Sequence, residues 1–380
     1  MKIFIIFIKN LIYSIISFFV IFISLIGLFL VMNIKISLMF SIILILLSFT
    51  LFCYCLYAFI SLKKDFHFLS LKGISGLLSL SCLSIVFTLM NVFFFSINFM
   101  ISTELGKNIT IEEKIGLYML PFQENKTQPI NYRAMKENKL IKTYRNVNIY
   151  YQPQEQELLP IIEGILKKAD SITTGLFGSI KDNKIDLILH SSSEDLYEKT
   201  ALIETMGYFD DPNDTVGVAI SDKEEILANR MPGSFYFQST IMHEYTHYRL
   251  QAFIKEKGLF VNRIPLWFHE GVAEYVGMHD VTHRYYPFHE TSFTKLDTHD
   301  EWEKFRLDDY DVYLQSYYAI KYLVDTYGKT MIKKIIVETA EVNDFNEGFT
   351  RATGITVNDL QTNYLEEAKK STKDKKPAAY

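Results

Sequence analysis

The chain has 380 residues, 49% of them hydrophobic and 15% aromatic, and a net charge of −5, but these averages conceal two parts of different physics. Residues 1–102 hold six lysines, no arginine and one acid (Asp65), a balance of +5, so the chain beyond Ser102 carries −10. A part that acidic is repelled by phosphate backbones, which excludes nucleic acid as an expected partner; with Cys53, Cys55 and Cys82 all upstream, it can hold neither an internal disulfide nor a thiolate metal site.

Three apolar runs, about 11–32, 36–61 and 74–102, are each long enough to cross roughly 30 Å of hydrocarbon as a helix. They define 1–102 as a membrane domain with the lipid bilayer as its partner. A cleaved signal peptide is the alternative for the first run, which is longer than the usual apolar region of such a peptide and has no small-residue cleavage site after it. Lys2 and Lys9 precede the first run and Lys63, Lys64 and Lys72 follow the second, whereas the loop between these runs offers only Lys35. The positive-inside rule then predicts a cytoplasmic N-terminus and an extracytoplasmic position for residues beyond about 103 in a multi-pass cell-membrane protein. Asn91 and Asn98, in the third run, are expected either to bond across helices or to sit near its outer end.

Residues 103–145 are polar and aperiodic, which reads as a juxtamembrane linker, and the Ile, Lys and Asn bias points to a bacterial source. Strands are predicted at "VNIYYQ" (147–152), "IDLILH" (185–190) and "TVGVAIS" (215–221). The last is a candidate edge strand along which an extended peptide could pair. Between the first two lies a helical pattern over 158–177, with Leu158, Ile162, Leu166, Ala169 and Ile172 on one face and Pro160 in its first turn. Helices follow near 236–256, 265–277, 311–328 and 356–368. Strands first and helices afterwards define an α+β domain over 146–369, and 370–380 reads as a disordered charged tail.

"MHEYTH" (242–247) sets His243 and His247 one helical turn apart, so both imidazoles can face one ion while Glu244 projects beside them. A catalytic zinc needs three protein ligands and an open position for water. "PLWFHEGVAEYV" (265–276) offers Glu270 as the third ligand and, one turn later, Glu274, which could accept the other N–H of His243 and fix its tautomer. His269 competes with Glu270, but on a helix it points about 100° away. His279, His283, His289 and His299 crowd the next stretch at irregular spacing and read as a loop over the cleft.

"HEYTH" followed by "PLWFHEGVAEY" resembles the gluzincin metallopeptidases of the peptidase MA-like group, whose second helix carries W-x-x-E-G-x-A-E-Y. The resemblance covers 146–369 and implies a thermolysin-like fold with a cleft between a strand-bearing lobe and a helical lobe. It also implies one zinc held by His243, His247 and Glu270, Glu244 as general base, and a peptide or protein as substrate. "YLQSYYAIKYL" (313–323) resembles the Y-x-x-G segment of the gluzincin aminopeptidases, with Ser316 in place of glycine. That carries Tyr313 onto their transition-state tyrosine, with Tyr317 as the substitute. The G-x-M-E-N signature that holds a substrate amine in those aminopeptidases is missing, which favours an endopeptidase. The sequence therefore reads as a membrane-anchored zinc peptidase. The alternative is a peptidase-like domain without catalysis that binds or senses a partner.

Overall fold

A computed structural model describes residues 2–32, 34–61, 66–68, 71–104, 111, 114–115, 130–181, 183–281, 288–308 and 310–373. The chain divides into two compact units, Met1–Glu124 and Asn125–Tyr380.

The first unit contains α1 (Lys2–Val31), α2 (Ile34–Ile60) and α3 (Gly73–Glu104), with a two-residue pairing of β1 (His67–Phe68) and β2 (Leu71–Lys72) before α3. All three helices are long and apolar enough to cross a membrane, over Phe4–Val31, Ile34–Ile60 and Gly73–Ile101. The first therefore starts seven residues earlier than the apolar run alone suggests, because Lys9 and Asn10 stay helical. Polar side chains join the helices. Asn91 Nδ2 donates to Ser41 Oγ at 2.9 Å, Asn98 Nδ2 to Ser37 Oγ at 2.9 Å, and Ser48 Oγ to the Ser84 carbonyl at 2.7 Å. Asn10 Nδ2 reaches Ser75 Oγ at 2.8 Å and so ties α1 to α3. In hydrocarbon, where packing apolar surface gives no advantage over lipid, bonds of this kind hold helices together at about 0.6–2 kcal/mol each. Of the two expectations for Asn91 and Asn98, cross-helix bonding is the one observed.

The second unit is built on a five-stranded mixed sheet of order β3-β4-β5-β7-β6. Its strands are β3 (Leu140–Tyr144), β4 (Val147–Tyr151), β5 (Ile185–His190), β6 (Gly207–Asp210) and β7 (Thr215–Ala219). β4, β5 and β7 run parallel, and the two edge strands are antiparallel to their neighbours. The crossover from β4 to β5 is α5 (Leu159–Phe177), with Pro160 in its first turn; it buries Ile162, Ile165, Leu166, Ala169 and Thr173 and ends at Gly178, whose φ of 86° suits a residue without a Cβ. Between β5 and β6 lies α6 (Ser193–Thr200), capped by the Ser192 side chain.

Two expectations change here. The stretch 103–145 is not linker throughout, since the second unit begins at Asn125 and takes α4 (Tyr132–Lys136) and β3 from it. Leu140, Ile141, Lys142 and Thr143 are all exposed, so this edge strand has no alternating pattern to read. Nor is 215–221 the sheet edge: β7 is buried at every residue and flanked on both sides, and β6 forms the edge instead. At four residues, "GYFD" was too short to register as a strand.

The helical part follows: α7 (Lys223–Leu227), α8 (Gly233–Glu256), α9 (Leu266–Gly277), α10 (His299–Leu307), α11 (Val312–Tyr327), α12 (Thr330–Val342), α13 (Phe345–Thr353) and α14 (Val357–Lys373). One core runs continuously from the sheet and α5 through α8, α9 and α11 to α14. α14 extends past 369 to Lys373, and 374–380 of the expected tail lie outside the described residues.

The opposite sheet face carries a smaller apolar cluster of Tyr132, Met135, Ile188, Leu196, Tyr208 and Ala219. Beside it His190 is fully buried, 3.4 Å from the Tyr208 hydroxyl, and burial pushes its pKa down to about 4, against a smaller upward pull from Asp195. The unfolded chain takes up that proton near 6.5 while the folded chain resists until about 4. The stabilisation is therefore complete above 6.5 and is lost as pH falls through this window. The melting temperature of the detergent-solubilised chain is expected to drop between pH 6.5 and 4. Replacing His190 by Gln should flatten that decline in a pH series of thermal unfolding curves.

Candidate metal centre

α8 is the helix on which the centre is built. One face sends Ile241, Met242, Tyr245 and Tyr248 into the core, and His243, Glu244 and His247 share another face. α9 is anchored by Trp267, whose buried ring packs at 4.2 Å from Phe293 and also meets Phe268 and Phe345. Two glycines set how closely α9 lies on its neighbours. A Cβ on Gly277 would stand 3.1 Å from the carbonyl and hydroxyl oxygens of Ser239 on α8, and one on Gly271 would stand 2.7 Å from the Ser316 carbonyl on α11.

This packing brings Glu270 and Glu274 onto His243. Nε2 of His243 lies 3.0 Å from Nε2 of His247 and 3.3 Å from Glu270 Oε2, while His247 Nε2 lies 3.5 Å from Glu270 Oε1. On the other edge of its ring, His243 Nδ1 lies 3.1 Å from Glu274 Oε1. His243, Glu244 and His247 also each offer a ligand atom within 4.8 Å of the others, but the contacts that include Glu270 are tighter. All four sequence-derived members of the centre, His243, His247, Glu270 and Glu274, thus come together, with Glu244 alongside.

The electrostatics are tightly coupled. Burial alone would lower the His243 pKa, yet hydrogen bonding to Glu270 and Glu274 outweighs it and raises the value well above the ordinary one. For Glu270 burial acts upward, and the pull of His247 and His243 wins, holding the carboxyl well below the usual range. Glu244 goes the other way: burial raises its pKa and the Glu270 and Glu274 charges add to this, only partly offset by the two histidines. A carboxyl with a raised pKa beside two imidazoles suits proton transfer.

Tyr313 begins the exposed end of α11, its ring 6.3 Å from that of His243 and held edge-on by the buried Trp302 at 5.0 Å. Tyr317, one turn on, is buried against Tyr318 instead. His269 is buried away from the centre with Nε2 3.1 Å from the Val261 carbonyl, and burial pushes its pKa down to about 4. The later histidines do not gather among the described residues: His279 sits by Asp280 at 3.6 Å, His289 stacks on Tyr310 at 4.3 Å and His299 opens α10. His283, with residues 282–287 of the expected covering loop, lies outside the described residues.

Sequence reasoning missed the strand beside the centre. A Cβ on Gly207 of β6 would meet Thr240 Cγ2 at 2.5 Å and Glu244 Cγ at 2.9 Å, so the sheet edge runs directly past Glu244. The glycine itself was the available signal, as a position of close backbone approach.

The sequence pattern of the Peptidase MA superfamily matches residues 182–369, the stretch from β5 into α14 that contains the whole centre. Over 258 residues, covering 68% of this chain and 80% of the relative, the sequence is 28% identical to the uncharacterized protein YhcO of Bacillus subtilis (strain 168). No solved structure matches. These findings support a peptidase MA-like fold over that stretch, and the three helices long and apolar enough to span a membrane suggest that this peptidase-like domain is membrane-anchored.

The Gly207 contact yields a direct test. Gly207→Ala is expected to destabilise the chain by about 1–3 kcal/mol, the usual cost of overpacking. Thr240→Ser, which removes the methyl that the new Cβ would strike, should recover part of that loss when the two changes are combined in a double-mutant cycle of thermal unfolding.

Proposed function

We propose that this protein is a zinc-dependent peptidase of the gluzincin type, with His243, His247 and Glu270 as metal ligands and Glu244 as the proton carrier. The observation that carries this is the convergence of three donor groups, two imidazoles and one carboxylate. Ligands at tetrahedral angles about 2.0–2.1 Å from a zinc ion stand roughly 3.3 Å apart. The two imidazole nitrogens stand 3.0 Å apart, and the Glu270 carboxylate meets each through a different oxygen, Oε2 at 3.3 Å from His243 and Oε1 at 3.5 Å from His247; these separations are close to that requirement, and a donor set of two imidazoles and a carboxylate suits zinc. When bound, zinc supplies the positive charge that polarises a peptide carbonyl and acidifies water towards neutrality.

The chain's own residues do the rest. Glu274 accepts the Nδ1 proton of His243, which fixes the tautomer that leaves Nε2 free to donate its lone pair. Glu244 takes a proton from the attacking water and delivers it to the leaving amine, and burial, by raising its pKa, keeps that return step accessible. The Tyr313 hydroxyl, on a ring braced by Trp302, donates to the oxygen that develops negative charge.

An extended peptide substrate binds along β6, not along β7. Hydrogen bonding of the Ala219 N–H to the Met206 carbonyl fixes the register, so that the backbone groups of Gly207 and Phe209 turn away from β7; those of Gly207 are met by the Thr205 hydroxyl, and those of Phe209 face the open edge. With no amine-holding acid motif in the sequence, cleavage within a chain is favoured over removal of its first residue. The lysine asymmetry of the loops supports an outer-face location for this activity.

Metal analysis of the purified full chain is expected to give about one zinc per molecule. Glu244→Gln should abolish peptide cleavage while keeping the metal, and Glu274→Gln should weaken zinc binding by about 10- to 100-fold. A folded chain that takes up no zinc and still binds peptide would favour the non-catalytic alternative.

A further inference from the structure

The proposed chemistry uses Glu244, Glu270 and Glu274 and leaves unused a cation on α10. Arg306 lies on α10, one turn beyond Trp302, and its side chain is 17% exposed. Glu303 holds one edge of the guanidinium as a fork, with Nε donating to Oε1 at 3.1 Å and Nη2 to Oε2 at 2.7 Å. The remaining nitrogen, Nη1, stands 3.7 Å from Oε2 of Glu204, too far for a hydrogen bond.

Glu204 comes from a different part of the chain. It sits at φ 52° in the loop that leads into β6, three residues before the glycine packed on Glu244, and its side chain is 71% exposed. An ion pair that long and that exposed contributes little, so an incoming anion can displace it. Arg306 is joined to the reaction centre through its own helix, since Trp302, one turn earlier, packs edge-on against Tyr313 at 5.0 Å. Its pKa is raised first by the bond to Glu303, with the Tyr313 phenol and Glu204 contributing. The Tyr313 ring in turn lies 6.3 Å from His243.

We propose that Arg306 is a specificity-determining residue that binds a carboxylate of the substrate peptide, with Glu204 occupying that carboxylate's place in the substrate-free chain. Glu303 pre-orients the guanidinium, and the Nη1 edge offers the donors that a carboxylate needs. The carboxylate is either the substrate's C-terminus or an acidic side chain near the scissile bond. The inference rests on the peptidase reading only for the identity of the ligand as a peptide.

Binding of fluorescently labelled hexapeptides to the full chain carrying Glu244→Gln, in detergent, tests it without turnover. One peptide has a free C-terminus, a second is the neutral C-terminal amide, and further amides carry one glutamate at successive positions. The free acid or one of the glutamate peptides is expected to bind about tenfold more tightly than the neutral amide, and which of them does so identifies the source of the carboxylate. Arg306→Gln should erase that difference and leave the neutral amide unaffected, Arg306→Lys should restore part of it, and Glu204→Gln should tighten carboxylate binding about two- to threefold. Equal affinities for all the peptides would overturn the proposal, as would no binding or an Arg306→Gln variant that weakens the neutral amide equally. Zinc content and cleavage by the unsubstituted chain report separately. Cleavage without carboxylate preference overturns Arg306 alone, and carboxylate-dependent binding without cleavage overturns the peptidase reading alone.

Discussion

Everything at the centre depends on how closely α9 approaches α8 and α11. A Cβ on Gly271 would stand 2.7 Å from the Ser316 carbonyl, where something must shift, and one on Gly277 would press on Ser239 at 3.1 Å. Carboxylates are short, and a shift of one ångström in α9 would take Glu270 out of reach of both imidazoles at once. The buried aromatic packing around Trp267 fixes the helix end-on, so the two glycines and one indole set the position of the third donor without belonging to the centre themselves. Packed interiors transmit such constraints because they have little free volume in which to relax.

The same crowding explains why the charges are tolerated. Burying a carboxylate or an imidazolium alone is costly, and burying them together makes each the counter-charge of the others. Glu270 and Glu274 raise the affinity of His243 for a proton, and by the same Coulombic argument they raise the affinity of the imidazole pair for any cation held between them. Glu244 is the exception. Burial raises its affinity for a proton, and the two neighbouring carboxylates add to this against the pull of the histidines, so its protonation is set apart from that of Glu270.

What could be read in the sequence follows from range. His243, Glu244 and His247 are bound to one another by a single helical turn, and Glu270 and Glu274 by another, so both sets were legible as local patterns. α8, α9 and α11 were likewise visible, because a helix that buries one stripe repeats its apolar residues every three or four positions. The sheet edge was not. β6 is four residues long, and its place beside Glu244 arises from a pairing with β7 that no local period encodes. β3 escaped for a different reason, since it is exposed along most of its length and buries no alternate face. Tyr313 was legible only through resemblance to a family. Its brace, Trp302, comes from a separate helix eleven residues earlier, and nothing in the intervening sequence signals that the two rings meet.

The acidity of the second part bears on what can enter the cleft. A net charge of −10 spread over a domain acts weakly on a ligand already at the surface, because at physiological salt charges more than about 8 Å apart are largely screened. The local balance matters more. Glu244, Glu270 and Glu274 together would repel an anion strongly, but a divalent cation between the histidines would bring their sum to about −1. Arg306 is already matched by Glu303 and has only a loose partner in Glu204. In the proposed reading, a peptide carboxylate approaching Arg306 would exchange one weak, solvated ion pair for another held by a pre-oriented guanidinium, while its backbone would pair with the open edge of β6. Selection would then rest on this local geometry, set jointly by Arg306 and the sheet edge, and not on the screened charge of the domain as a whole.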